Sequence, residues 1–210
     1  MNERQAPITD PPADAASDAA PPDPGKPSAQ DMREMRASSP YTLWEKIKRV
    51  LWNYGGQFVF RVSFHDWYGA RNMLLRVFGA KIGRSVRIRP TVSVEQPWNL
   101  EIGDNSSVGD RVILYCLGRI TIGDNCSISQ YAHLCAGTHD HTRPDMPLVK
   151  LPIVLEDDVW LAADVFVGPG VRVGKEAVIG ARSSVYKDIE GGYVYCGNPA
   201  KPMKKRVYTS

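Results

Sequence analysis

"VGPGVRVGKEAVIGARSSV", residues 167–185, places an aliphatic side chain at every sixth position: Val167, Val173, Ile179 and Val185. Glycine follows the first three, at Gly168, Gly174 and Gly180. A helix repeats near 3.6 residues and a strand every 2, so neither accounts for a period of six. A triangular coil of three short strands does, with one inward side chain per face. Coils stacked on one another pair their strands in parallel about 4.8 Å apart, and the inward aliphatics fill the axis.

The same phase runs back through the chain. It includes Ile82, Ile88 and Val94, then Ile102, Val108 and Leu114, then Ile122, Ile128 and Leu134, and resumes at Leu155 and Leu161. All fifteen positions are aliphatic, enough for about five coils and a prism roughly 24 Å tall. Two residues before each, the side chain is mostly small or aliphatic, from Val86 and Val92 to Ala177 and Ser183. "IGDNS" (102–106), "IGDNC" (122–126) and "LEDDV" (155–159) repeat at one phase. They supply the Gly, Asn and Asp that tolerate the left-handed backbone of a sharp corner. Internal repetition of this kind marks a solenoid. The reading is an all-β solenoid, a parallel β-helix over residues 82–189.

Breaks in the spacing carry information. Val94 to Ile102 and Leu114 to Ile122 each take two extra residues, so corners bulge there. Leu134 to Leu155 takes fifteen extra, in phase on both sides. Residues 137–152, "GTHDHTRPDMPLVKLP", therefore leave the prism as a protruding loop and return at the same corner. Long loops on rigid scaffolds are where function concentrates.

Residues 1–39 contain no aromatic side chain and are rich in Ala, Pro, Asp and Ser, a composition that predicts a disordered tail. Residues 40–81 read as helical: Leu43, Trp44, Ile47, Val50 and Leu51 share one stripe, with Lys46, Lys48 and Arg49 beside or opposite it, and Trp67, Leu74, Leu75 and Phe78 form a second. The leading expectation is that these helices cap the solenoid, since repeat stacks need covered ends. The competing reading is a basic amphipathic surface that touches a membrane. Residues 190–210 form a C-terminal segment.

Bulk properties narrow the function. A net charge of +3, from 26 basic and 23 acidic residues, is too mild to argue for nucleic acid. Cysteines 116, 126, 135 and 196 form no CxxC pair, and the first three read as small buried apolar residues. No apolar run reaches the ~18 residues of a membrane span, nor is there a hydrophobic signal core. The expected location is the cytoplasm, with the inner face of the membrane left open by residues 41–80.

The motifs "AGTHDHTRPD" (136–145), residues 153–188 containing "VWLA", and "GNPAKPMKK" (197–205) resemble the hexapeptide-repeat acyltransferases. The likeness is to sugar O-acetyltransferases of the maltose and galactoside type, and most of all to relatives in colanic-acid-type exopolysaccharide synthesis. It covers about Ile82 to Met203. It implies a left-handed β-helix, acetyl-CoA as acyl donor without a metal, and a homotrimer with CoA between subunits. The implied product is an O-acetylated saccharide in exopolysaccharide or cell-surface glycan synthesis.

His139, at the start of the loop, is the candidate general base. Imidazole titrates near neutral pH, and the resemblance assigns the role to the histidine of "THD". His141 and His133 carry no assigned role, and Asp140 is a candidate to orient His139. By resemblance the backbone N–H of Ala163 stabilises the oxyanion, Trp160 lines the donor cleft, and Lys187, Lys201 and Lys204 hold the CoA phosphates. Gly180 and Ala181 match the stretch beside the pantetheine, and Asn198 and Pro199 the terminal turn. The motif departs at Ala162, where relatives have glycine; positive φ there would strain it. On the acceptor side "DRVILYCLG" (110–118) lacks the relatives' polar pair, leaving Asp110, Arg111 and Tyr115 as substrate-binding candidates. Alternatives are N-acylation of an amino sugar, a zinc site like that of the γ-type carbonic anhydrases built on histidines, and a non-catalytic scaffold.

Overall fold

The computed structural model describes residues 41–208, so the reading of residues 1–39 lies outside the described residues. The hexad positions form three parallel sheets that wrap into a left-handed β-helix. On the first face Ile82, Ile102, Ile122, Leu155, Val173 and Ile189 stack in register. Ile88, Val108, Ile128, Leu161, Ile179 and Tyr195 stack on the second. The third holds Val94, Leu114, Leu134, Val167 and Val185. All are buried, as are the intervening positions such as Val112, Ala132 and Ala177. Two polar side chains reach this axis already satisfied: Ser106 Oγ donates to the Gly123 carbonyl and Ser183 Oγ accepts from Gly197 N–H.

Five coils are complete, and the solenoid runs past residue 189. Strand Tyr193–Cys196 adds a partial turn on the second face, and strand Lys201–Lys205 folds back antiparallel to it.

Corners are built from two columns of left-handed residues. Ser85, Asn105, Asn125, Asp158 and Glu176 turn the chain from first to second face, and Arg111, Tyr131, Asp164 and Arg182 from second to third. In each, the amide reaches the preceding coil: Asn125 N–H to Asp104 O at 2.8 Å, Asp164 N–H to Gln130 O at 3.0 Å. The first column is close to the expected Asn and Asp. Arg and Tyr in the second are held there against roughly 1–2 kcal/mol of intrinsic preference, offset by that inter-coil bond. Ala162 lies outside both columns, so the strain anticipated from the missing glycine does not arise; the left-handed residue of that corner is Asp164.

One set of inter-coil amides donates toward the C-terminal end, as Arg87 N–H does to Ser106 O and Ser93 N–H to Val112 O. The equivalent first-coil carbonyls, those of Ile82, Val86, Ile88 and Val94, have no preceding coil to donate to them. Helices α1 (Leu43–Val50), α2 (Gln57–Val62) and α3 (Tyr68–Val77) lie over this end, and α3 and the Leu51–Gly56 turn supply the donors. Arg76 bonds Ile82 O, Asn72 bonds Val86 O, Arg71 bonds Ile88 O, and the Trp52 indole bonds Val94 O at 2.6 Å. Sheet edges must be covered or paired, and here side chains pair them.

Capping is therefore confirmed through the second predicted stripe, where Leu75 is buried and Leu74 and Phe78 pack against the core, and not through the first. Leu43, Trp44, Ile47, Val50 and Leu51 are exposed, and α1 has no buried residue. Trp52, Gly56, Phe60 and Leu75 are the buried anchors. A π-turn, Leu51–Gly56, joins α1 to α2 and keeps Trp52, Gly56 and Phe60 on one side of a continuous rod. Gly56 is required, because a Cβ there would overlap the Trp52 ring.

Candidate active site

The insertion after the third coil is a β-hairpin. Strand Gly137–His139 pairs antiparallel with Leu148–Lys150, with His139 opposite Leu148. Its base is pinned by Leu151 N–H to Ala136 O and by Gly118, where a Cβ would press on both carbonyls at 2.6–2.8 Å. His139 stands exposed at the strand end, and Nδ1 lies 2.6 Å from the Met146 carbonyl. A carbonyl only accepts, so Nδ1 carries the proton and Nε2 presents its lone pair outward. That is the tautomer a general base needs. The sequence could not reveal this partner, because a backbone carbonyl has no residue signature.

Asp140 does not orient His139. Its carboxylate accepts from the Thr142 hydroxyl at 2.6 Å and from Thr142 N–H at 3.0 Å, and these bonds hold its pKa below the usual range. His141 is exposed. His133 is half-buried on the third face, edge-on to Tyr115 and Phe166 at 6.4 and 5.5 Å. Burial lowers its pKa, and its Nε2 has no hydrogen-bond partner. Among the described residues no three His, Cys, Asp or Glu converge as a metal site.

The donor-side candidates gather along another edge, the corner between second and third faces. Ala163 follows Leu161 there, and Gly180 and Ala181 follow Ile179 one coil on, with Ala162 N–H donating to Ile179 O and Arg182 N–H to Ala163 O. Among the described residues no acceptor meets the Ala163 amide. Gly180 has an internal reason to be small: a Cβ would collide with Cys196 Sγ. The Asn198–Pro199 bond beyond it is cis. Lys201 and Lys204 are exposed on the returning strand, whereas Lys187 lies at the far edge of the third face, after Val185.

Trp160 stands outward on the second face, 45% exposed, its indole N–H bonded to Ser129 Oγ at 3.1 Å. Beside it lies a groove of about 430 Å³ floored by Ser107 and Ser127 and walled by Arg89, Asp110 and Tyr131. Ser129 and this groove were not singled out by sequence, since surface serines carry no periodic signal. Asp110 accepts from Thr91 Oγ1 at 2.8 Å, and Arg111 is one of the left-handed corner residues. Tyr115 is instead at the opposite edge of the third face, paired with Cys135 near the hairpin base.

These positions fall into two groups. The hairpin leaves between the third and first faces, and the second face, with Trp160, lies across the prism from that corner. One chain does not bring His139 and Trp160 together. A crevice containing both requires the hairpin of one copy to meet the second face of another.

No family model matches the chain, but it is similar to known relatives and solved structures. WcaF of Escherichia coli (strain K12), named as a colanic acid biosynthesis acetyltransferase, is 46% identical over 167 residues, spanning 80% of this chain and 87% of that protein. The structure of a galactoside acetyltransferase in complex with coenzyme A superposes with a TM-score of 0.73 at 26% identity, over 83% of this chain and 90% of the other. A maltose O-acetyltransferase from Clostridium difficile 630, at 24% identity and a TM-score of 0.72 over 84% and 97% of the two chains, shares the fold.

Proposed function

This chain belongs to the hexapeptide-repeat acetyltransferases, and from that premise we propose that it moves an acetyl group from acetyl-CoA to a saccharide hydroxyl in exopolysaccharide or cell-surface glycan synthesis. The relative's assignment to colanic acid biosynthesis supports the acceptor class, and the CoA complex of the galactoside acetyltransferase supports the donor. The observation that carries the mechanism is the Nδ1–Met146 carbonyl contact.

In this reading His139 Nε2 removes the proton of the acceptor hydroxyl as its oxygen attacks the thioester carbonyl carbon. The carbonyl oxygen becomes an oxyanion that accepts a hydrogen bond from Ala163 N–H. Collapse breaks the C–S bond and leaves the acetyl ester. The imidazolium returns its proton to the CoA thiolate. Trp160 lies along the acyl-donor cleft, Gly180 and Ala181 follow the pantetheine arm, and Lys187, Lys201 and Lys204 pair with phosphate by charge. Asp110, Arg111 and Tyr115 meet the acceptor. Because one chain separates His139 from Trp160, the working unit is a homotrimer with CoA held between neighbours.

His139→Ala tests the proposal. Turnover should fall by roughly 10²–10⁴, the usual worth of a general base, with acetyl-CoA affinity retained by calorimetry. Turnover within a few-fold of the unmodified enzyme would remove His139 from the mechanism. Mass spectrometry of surface glycan from a deletion strain identifies the acceptor: one acetyl per repeat unit should disappear.

A further inference from the structure

The rod from Leu43 to Val62 is mounted inside out. Its inner side carries Arg49, paired with Glu95 at 3.0 Å, and Lys48, 5.7 Å over the Trp98 ring, before the buried series of Trp52 and Phe60 begins. On its outer side Leu43, Ile47, Val50, Tyr54, Phe58 and Val62 recur at helical spacing and are 41–81% exposed. An amphipathic helix ordinarily turns such a stripe toward the core. Contiguous exposed apolar surface of this kind marks an interaction site.

Charge and composition select the occupant. Residues 41–80 contain six basic and two acidic side chains, so this segment holds more than the whole chain's net +3. Lys46 and Arg61 flank the stripe in solvent. Trp44 on the rod, and Phe64 and Trp67 in the connection that follows it, are 64%, 70% and 55% exposed, and Trp is favoured at headgroup depth. A second copy would set positive charge against positive charge, whereas an anionic bilayer offers hydrocarbon and opposite charge together. No described helix is long and apolar enough to cross a membrane. We propose that the outer side of the Leu43–Val62 rod is a membrane-contact surface that lies in the headgroup plane of an anionic bilayer. This reading is independent of the transfer chemistry.

Flotation of the full chain with vesicles of phosphatidylglycerol and phosphatidylethanolamine tests it, with phosphatidylcholine vesicles alongside. The protein should float with the anionic vesicles, and raising salt should weaken binding, because part of the attraction is electrostatic. Ile47→Glu/Leu51→Glu/Phe58→Glu alters only outward side chains; it should keep the unmodified Tm and lose at least about tenfold in vesicle partition. Its transfer to a soluble acceptor should be unchanged, so failure here and failure of the acetyltransfer mechanism read separately. Absence of anionic-vesicle binding, or equal partition of the variant, overturns the proposal. So does a larger assembly in lipid-free solution that the variant abolishes without any flotation, since the stripe would then be a self-association surface.

Discussion

Replacing Arg71 by methionine should unfold the cap before it touches the site. The guanidinium is fully buried and donates to Ile88 O at 2.8 Å, Phe64 O at 2.7 Å, His65 O at 2.6 Å and Ser63 Oγ at 2.8 Å. Methionine fills part of the volume and none of the bonds. The Ile88 carbonyl is then left beneath α3 without a donor, at a cost of about 1–3 kcal/mol. The Phe64, His65 and Ser63 groups lie nearer the surface and regain water, so their loss adds about 1–2 kcal/mol together. Relief of the buried charge's desolvation offsets part of this. The net expectation is about 3 kcal/mol, or a Tm lowered by roughly 6–12 °C for a chain of this size. Urea unfolding followed by circular dichroism at matched protein concentration measures it, with Lys187→Met as a surface control. Stability of Arg71→Met within about 0.5 kcal/mol of the unmodified protein, at equal m-value, would show that the first coil's carbonyls need no side-chain donor.

Gly103→Ala should destabilise by about 1–3 kcal/mol, because the new Cβ would lie 2.7 Å from Gly123 C and 2.8 Å from Asp124 N, both backbone; a more stable variant contradicts this coil spacing. Burial pushes the Cys116 thiol to about 12 and Cys126 to about 11, so a thiol reagent on folded protein should modify only Cys135 and Cys196, and all four in denaturant. The Lys81 ammonium and then Arg119 hold Glu101 below the usual carboxylate range. Its contribution is therefore present above the unfolded carboxyl pKa and disappears as pH falls through the folded one. Under about 1 kcal/mol is expected for so exposed a pair, seen as a gap between native and Glu101→Gln stability at pH 7 that closes in acid.

The solenoid was readable because one physical demand, an aliphatic side chain at the axis, recurs at every face. The hairpin was readable as an insertion that preserved phase, and His139 as an imidazole at its start. The inside-out rod was not. Leu43–Val62 is apolar on both sides, so periodicity alone cannot say that Trp52, Gly56 and Phe60 face inward. Arg111 and Tyr131 gave no warning of left-handed corners, since their backbone is imposed by the coil below. Asp140 looked like the partner of His139 by adjacency, but it lies just past the strand end and its carboxylate closes a local turn with Thr142 instead.

A stack with uniform rise is also a ruler. His139 departs from the third coil, two steps or about 10 Å from the capped first coil, and nothing in either end senses how many coils lie between. Excising residues 103–122, one full period, would keep the axis continuous and lower the imidazole by a single step toward the rod. Coil number thus sets how far the imidazole stands from the capped end, independently of the residues that build either.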